Sequence, residues 1–198
     1  MLMLPRPQTF NDILVPYLDA LVEIYAAMDR RYNLAAAHYG FKCTGCDDNC
    51  CYTHFYHYTY LEYGFILKGY RSLDGHKCAE IRKRALKVIG DSKAADKKEL
   101  AGRYMCPLSF DGRCILYAYR PMICRLHGIP HEIQTINHKV IHAPGCETFT
   151  GQQGDAKYYN FDRTPFYTQM ARLESELKQA LGVGNKLKMT IAEMIASF

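Results

Sequence analysis

Four of the chain's nine cysteines stand within Cys43-Thr44-Gly45-Cys46-Asp47-Asp48-Asn49-Cys50-Cys51, and any fold must account for that crowding. Gly45 and the Asp47-Asp48-Asn49 triplet are turn formers. A tight loop of this kind lets separated sulfurs converge and aims backbone N–H groups at thiolates. The vicinal pair Cys50-Cys51 is harder to close on one ion, because adjacent side chains diverge. It implies either two metal atoms, or one thiol that ligates while the other packs.

The crowding does not read as a disulfide framework. At 198 residues and 48% hydrophobic, the chain is long enough to bury a core without covalent staples. Met1-Leu2-Met3-Leu4-Pro5-Arg6-Pro7 lacks the basic n-region, continuous apolar stretch and small-residue cleavage site of a secretory signal. The expected compartment is therefore cytoplasmic, where thiols stay reduced. No run approaches the roughly 20 apolar residues of a membrane span. The net charge of +5 is scattered rather than gathered on one stretch, with Arg82-Lys83-Arg84 and Lys97-Lys98 read as solvated helix faces, so there is no strong nucleic-acid signal.

The rest of the chain reads as mainly α with short irregular β pieces, a single domain over residues 1–198 with its cysteine-rich core at residues 41–146. Leu18, Leu21, Val22, Tyr25, Met28, Tyr32, Ala35 and Tyr39 follow helical spacing from Asn11 or Pro16, and Gly40 supplies a stop. Thr59 and Glu62 form a capping-box pattern for a short helix ended by Gly69. A third helix spans about Asp74 to Ile89 with Gly90 beyond it. Its apolar face carries Cys78, read as a small buried hydrophobe rather than a ligand. Ile133-Gln134-Thr135-Ile136 and Val140-Ile141 predict a small hairpin. Thr164-Pro165 opens a helix through Phe166, Met170, Leu173, Leu177 and Leu181 to Gly182, and Thr190 with Glu193 opens a last turn.

With Cys78 set aside, eight cysteines remain. Cys106 begins Cys106-Pro107-Leu108, Cys114 follows Asp111-Gly112-Arg113, Cys124 lies in Arg120-Pro121-Met122-Ile123-Cys124-Arg125, and Cys146 follows Pro144-Gly145. All four stand beside chain-reversing residues. Together with Cys43, Cys46, Cys50 and Cys51, and with Gly112-Arg113-Cys114-Ile115-Leu116-Tyr117, these segments resemble a cysteine-cluster family of zinc- or iron-chelating domains. That family's pattern is C-x2-C-x3-C-C, then C-P-x-L, G-x-C-x-x-Y and R-P-x-x-C-R. The resemblance spans about Phe41 to Cys146 and implies metal chelation without naming a reaction; Cys146 lies beyond its seven-cysteine pattern and is added here on its Pro-Gly turn.

Eight thiolates suit two zinc sites, or an iron–sulfur cluster with cysteines to spare. The all-thiolate set gives a slight preference for iron–sulfur. His127, three residues after Cys124, is the preferred non-cysteine ligand or supporting donor, and His54, His57 and His131 are the other histidines near the cysteine blocks. Arg120 and Arg125 flank Cys124, where they could offset thiolate charge or form ordinary ion pairs, and Tyr117 and Tyr119 are expected to pack beneath that loop. The expected function is a metal-binding protein acting as a redox or transfer accessory. The alternatives are a zinc-stabilised structural or interaction module and a metal-dependent enzyme of unknown reaction.

Overall fold

The computed structural model describes residues 7–43, 50–52, 55–96, 103–153 and 156–198. The fold is mainly helical, as the sequence predicts, with two small antiparallel strand pairs, of which the one at residues 131–143 is predicted and the one at residues 109–114 is not. The chain divides into two compact units, Met1–Asp48 with Met122–Gly184, and Asn49–Pro121 with Asn185–Phe198. Residues 41–146 thus contribute to both.

The first unit is organised by helix α1, Pro7–Tyr39. Phe10, Leu14, Leu18, Leu21, Tyr25, Met28 and Ala35 recur at spacings of three, four and seven and are buried, while Val22 from the predicted face is 44% exposed. Pro16 does not start this helix but lies within it. Gly40 ends it at φ 62°, with Gly40 N–H donating to the Ala37 carbonyl (3.0 Å) and Phe41 N–H to that of Ala36 (2.9 Å). This left-handed cap satisfies two otherwise orphaned carbonyls.

Helix α1 packs against helix α4, Met122–Leu126, and helix α6, Thr164–Leu181. The buried side of α6 carries Phe166, Met170 and Leu177 as predicted, and also Glu174. The cap is Arg163 rather than Thr164. Thr164 N–H is taken by the Asp162 carboxylate at 2.8 Å, so the aspartate two residues back supplies the oxygen that Thr164 was expected to provide. The predicted hairpin forms from β3, His131–Gln134, and β4, Val140–Ala143, with Ile133 opposite Ile141. Its first strand starts earlier than predicted because Glu132 is tied to Asp162: Glu132 N–H bonds to the Phe161 carbonyl (3.0 Å) and Arg163 N–H to the Glu132 carbonyl (2.9 Å). Helix α5, Glu147–Gln153, follows, and Phe149 packs edge-on against Tyr39 and Phe41.

The second unit contains α2 (Tyr60–Arg71), α3 (Gly75–Asp96), the strand pair β1 (Ser109–Phe110) and β2 (Arg113–Cys114), and α7 (Ile191–Ser197). Thr59 caps α2 by accepting Glu62 N–H at 3.1 Å, and the full capping box forms at Thr190 and Glu193. Two glycine stops did not hold. Gly69 lies inside α2, where a Cβ would meet the Tyr119 ring at 2.5 Å; the residue is there for close packing, not termination. Gly90 lies inside α3, which continues to Asp96. Ile81 and Ala85 of α3 are fully buried, and α3 packs against α7. Cys78 is half-buried, its thiol donating toward the Tyr70 carbonyl at 3.4 Å. Arg82 and Lys83 are exposed as expected, whereas Arg84 is drawn inward, as described below. Among the described residues no helix is long and apolar enough to cross a membrane.

Candidate functional site

In the second unit, the backbone at Cys51, Cys106 and Cys114 is placed by three features. Cys51 sits on a single helical turn, Cys50–Tyr52, and its carbonyl accepts the Cys106 N–H at 2.8 Å. Cys106 then opens a turn closed by Ser109 N–H on the Cys106 carbonyl (3.0 Å), with Pro107 setting the first bend. The third feature is the hairpin itself. Asp111 and Gly112 adopt φ 48° and 76°, the paired left-handed geometry that matches the twist of two antiparallel strands, and Ser109 lies opposite Cys114.

The hairpin is held to α3 by cations. Arg84 Nη1 donates to the Ser109 carbonyl at 2.7 Å, and the Phe110 ring lies 3.9 Å from the Arg84 guanidinium and 4.4 Å from Lys77 Nζ. Cation–π contacts of this kind contribute about 0.5–1 kcal/mol each at exposed positions. Arg84 is therefore part of the scaffold that presents Cys114.

Burial pushes the Cys114 thiol up to about 11; an N–H hydrogen bond from Leu116 lowers it, the neighbouring Cys51 raises it, and Arg120 lowers it. A thiol so disposed stays protonated at neutral pH and makes a poor free nucleophile. A bound metal cation would reverse that balance, since coordination deprotonates a thiol outright. Of the two flanking arginines, Arg120 thus acts on a cysteine, but on Cys114. Its Nε also donates to the Tyr117 carbonyl (3.1 Å), and its guanidinium stacks 3.6 Å from the Tyr117 ring. Tyr117 is 61% exposed rather than packed beneath the loop, whereas Tyr119 packs on Phe65 and Gly69 of α2.

His57 is buried and bridged to Met189 through reciprocal backbone bonds of 2.8 and 3.0 Å. Burial lowers its pKa, the nearby Glu62 opposing the shift, and its Nε2 has no hydrogen-bond partner. It is a core imidazole.

The first unit contains Cys43, Cys124 and Cys146. Cys43 is exposed; Cys124, on α4, and Cys146 are half-buried. Cys146 N–H donates to the Gly128 carbonyl at 3.0 Å. Gly145 before it has no room for a side chain, since a Cβ would meet the Phe149 ring at 2.5 Å and the Gly128 carbonyl at 2.8 Å. Arg125 is buried and pairs with Asp29 at 2.6 Å while lying 4.3 Å from the Tyr25 ring; it is an ordinary structural ion pair.

Cys146 and His127 line a cavity of about 170 Å³ together with His131, Arg163 and Tyr167. Burial first, then the Arg163 charge and the neighbouring His127, push His131 down to about 4, a hydrogen bond with the Ile129 backbone opposing the shift. Arg163 and Tyr167 carried no sequence signal, because they enter the cavity from the start of α6, far along the chain.

Cys46, the side chain of Cys50, His54 and Lys97-Lys98 lie outside the described residues. Among the described residues, no group of three or more His, Cys, Asp or Glu side chains stands in metal-holding geometry. No family model matches the chain, and no curated protein or solved structure is significantly similar to it.

Proposed function

We propose that this is a metal-binding protein of the cysteine-cluster kind its motifs resemble, with an iron–sulfur cluster preferred over zinc, serving as a redox or transfer accessory. The observation that supports the reading is that Cys106 and Cys114 stand on one turn-and-hairpin framework, with Cys51 bonded to Cys106 through the backbone and close enough to act on the Cys114 thiol. Short turns and an N–H donor on sulfur are what a thiolate ligand needs, because each amide dipole offsets part of the negative charge of the metal–thiolate group. The donors would come from the eight cysteines Cys43, Cys46, Cys50, Cys51, Cys106, Cys114, Cys124 and Cys146, with His127 as a supporting donor. All-thiolate donation favours iron–sulfur chemistry, and such a group would supply one-electron transfer.

Elemental analysis with an anaerobic absorption spectrum tests this. Stoichiometric iron and sulfide, with broad visible absorption that bleaches reversibly on reduction, are expected. Protein that takes up neither iron nor zinc overturns the proposal.

The second reading is a zinc-stabilised structural or interaction module. It is favoured by the β1–β2 hairpin, whose turn-borne thiol with an amide donor suits zinc equally well. Colourless protein with stoichiometric zinc, unfolding on chelation, would select it and sink the redox role.

A further inference from the structure

The cavity of the first unit has a chemistry of its own. Of its ten lining residues, three carry basic side chains, His127, His131 and Arg163, and none is acidic. Arg163 is 2% exposed, yet it forms no ion pair among the described residues. One of its terminal nitrogens donates to the Leu126 carbonyl, the Tyr167 hydroxyl accepts a second hydrogen bond, its guanidinium lies 5.2 Å from the Phe161 ring, and Nε has no partner among the described residues. His131 Nδ1 is likewise buried without a partner. The nearest carboxylate on the same strand, Glu132, is turned to Tyr158 and Asn160, with bonds of 3.4 and 2.9 Å.

A buried guanidinium is ordinarily matched by a carboxylate, because removing the charge from water costs more than neutral hydrogen bonds return. Among the described residues no carboxylate pairs with Arg163, and it borders open volume. The space is lined by Ile123, Ile129 and Pro144 on its apolar side, so a ligand there would be held in a partly dry setting where charge-assisted hydrogen bonds are strong.

We propose that this cavity binds the oxyanion group, carboxylate or phosphate, of a small molecule, with Arg163 as the charge partner and His131, His127 and Tyr167 as orienting donors. The proposal rests on the cavity and not on metal occupancy. A carboxylate and a phosphate present the same acceptor oxygens, and Arg suits either.

The test is calorimetric titration of the full-length protein as purified, at matched ionic strength, with inorganic phosphate in one arm, succinate in a second and chloride as reference. Saturable binding of one equivalent of phosphate or succinate is expected, and the arm that saturates names the source. Arg163→Lys and His131→Gln should each weaken it by about tenfold or more, the effect of losing one charge-assisted bond. Circular dichroism checks that each variant is folded. His131→Gln carries the test if Arg163→Lys fails to fold, since Arg163 also supports the Leu126 carbonyl. Absence of saturable heat from both anions, or unchanged affinity in a folded His131→Gln variant, overturns the proposal. Metal content measured on the same samples scores the metal reading separately.

Discussion

In the unit built from residues 49–121 and 185–198, cysteines are gathered by short-range devices: a helical turn at Cys51, a proline turn at Cys106 and an Asp-Gly hairpin before Cys114. In the unit built from residues 1–48 and 122–184, Cys146 instead borders a cavity whose polar walls are imidazole and guanidinium from distant parts of the chain. Of the candidate ligands whose side chains are described, Cys43, Cys124 and Cys146 lie in one unit and Cys51, Cys106 and Cys114 in the other. The difference teaches that thiol convergence and charge convergence are separate problems. The first uses turns of a few residues to place each cysteine, with one longer backbone bond linking Cys106 to Cys51. The second needs long helices to deliver side chains from afar.

The largest expected effect is on metal removal. Structural thiolate sites contribute on the order of 10–16 kcal/mol of binding free energy to folding. Chelation should therefore strip hydrogen-exchange protection from residues 103–121 while the amides of α1 stay protected. Equal loss in both regions would break the comparison, since the helical unit would then depend on metal as much as the hairpin does.

Next is the apolar support of the first unit. Leu21 is fully buried on α1, and Leu21→Ala should cost about 2–5 kcal/mol in denaturant unfolding, with metal stoichiometry unchanged. A smaller loss, about 1–3 kcal/mol, is expected for Gly69→Ala in the second unit, because the new methyl group would strike the Tyr119 ring. That variant should also alter the metal spectrum if Tyr119 steadies the loop bearing Cys114; an unchanged spectrum would confine Gly69 to packing.

The smallest effect concerns pH. His57 has its folded pKa lowered from 6.5 by burial, so the unfolded chain takes up a proton more readily than the folded one. Stability should be fully present above pH 6.5 and decline as the pH falls below it toward the folded value. Thermal melts between neutral and mildly acidic pH should show this slope, and His57→Gln should reduce it, leaving the part that His131, pushed down to about 4, contributes. A slope unchanged in that variant would move its origin elsewhere, with His131 in the other unit the next group to test.

Much of the helical framework was legible. Thr59 with Glu62, Thr190 with Glu193, and Gly40 and Gly182 as stops are local signals, each satisfied by atoms within a few residues. The turns beside Cys106 and Cys114 were legible for the same reason. Gly69 and Gly90 misled because a glycine looks alike whether it ends a helix or admits an aromatic ring, and only the position of Tyr119 separates the two for Gly69. Arg84 read as a solvated charge until the hairpin supplied the Ser109 carbonyl and the Phe110 ring. Arg125 reads from sequence either as an offset to thiolate charge at Cys124 or as a member of an ordinary ion pair, and α1 supplies Asp29 as the ion-pair partner.

The sequence by itself determined the turns that carry Cys106 and Cys114 and the caps that frame the helices, because hydrogen bonds and φ preferences act over three or four residues. Tertiary structure alone decided that Arg163 is buried with no carboxylate partner among the described residues, that His131 is held neutral beside it, and that Arg125 pairs with Asp29. Those outcomes depend on desolvation and on charges brought together across as many as 96 residues of chain, and no local pattern encodes either.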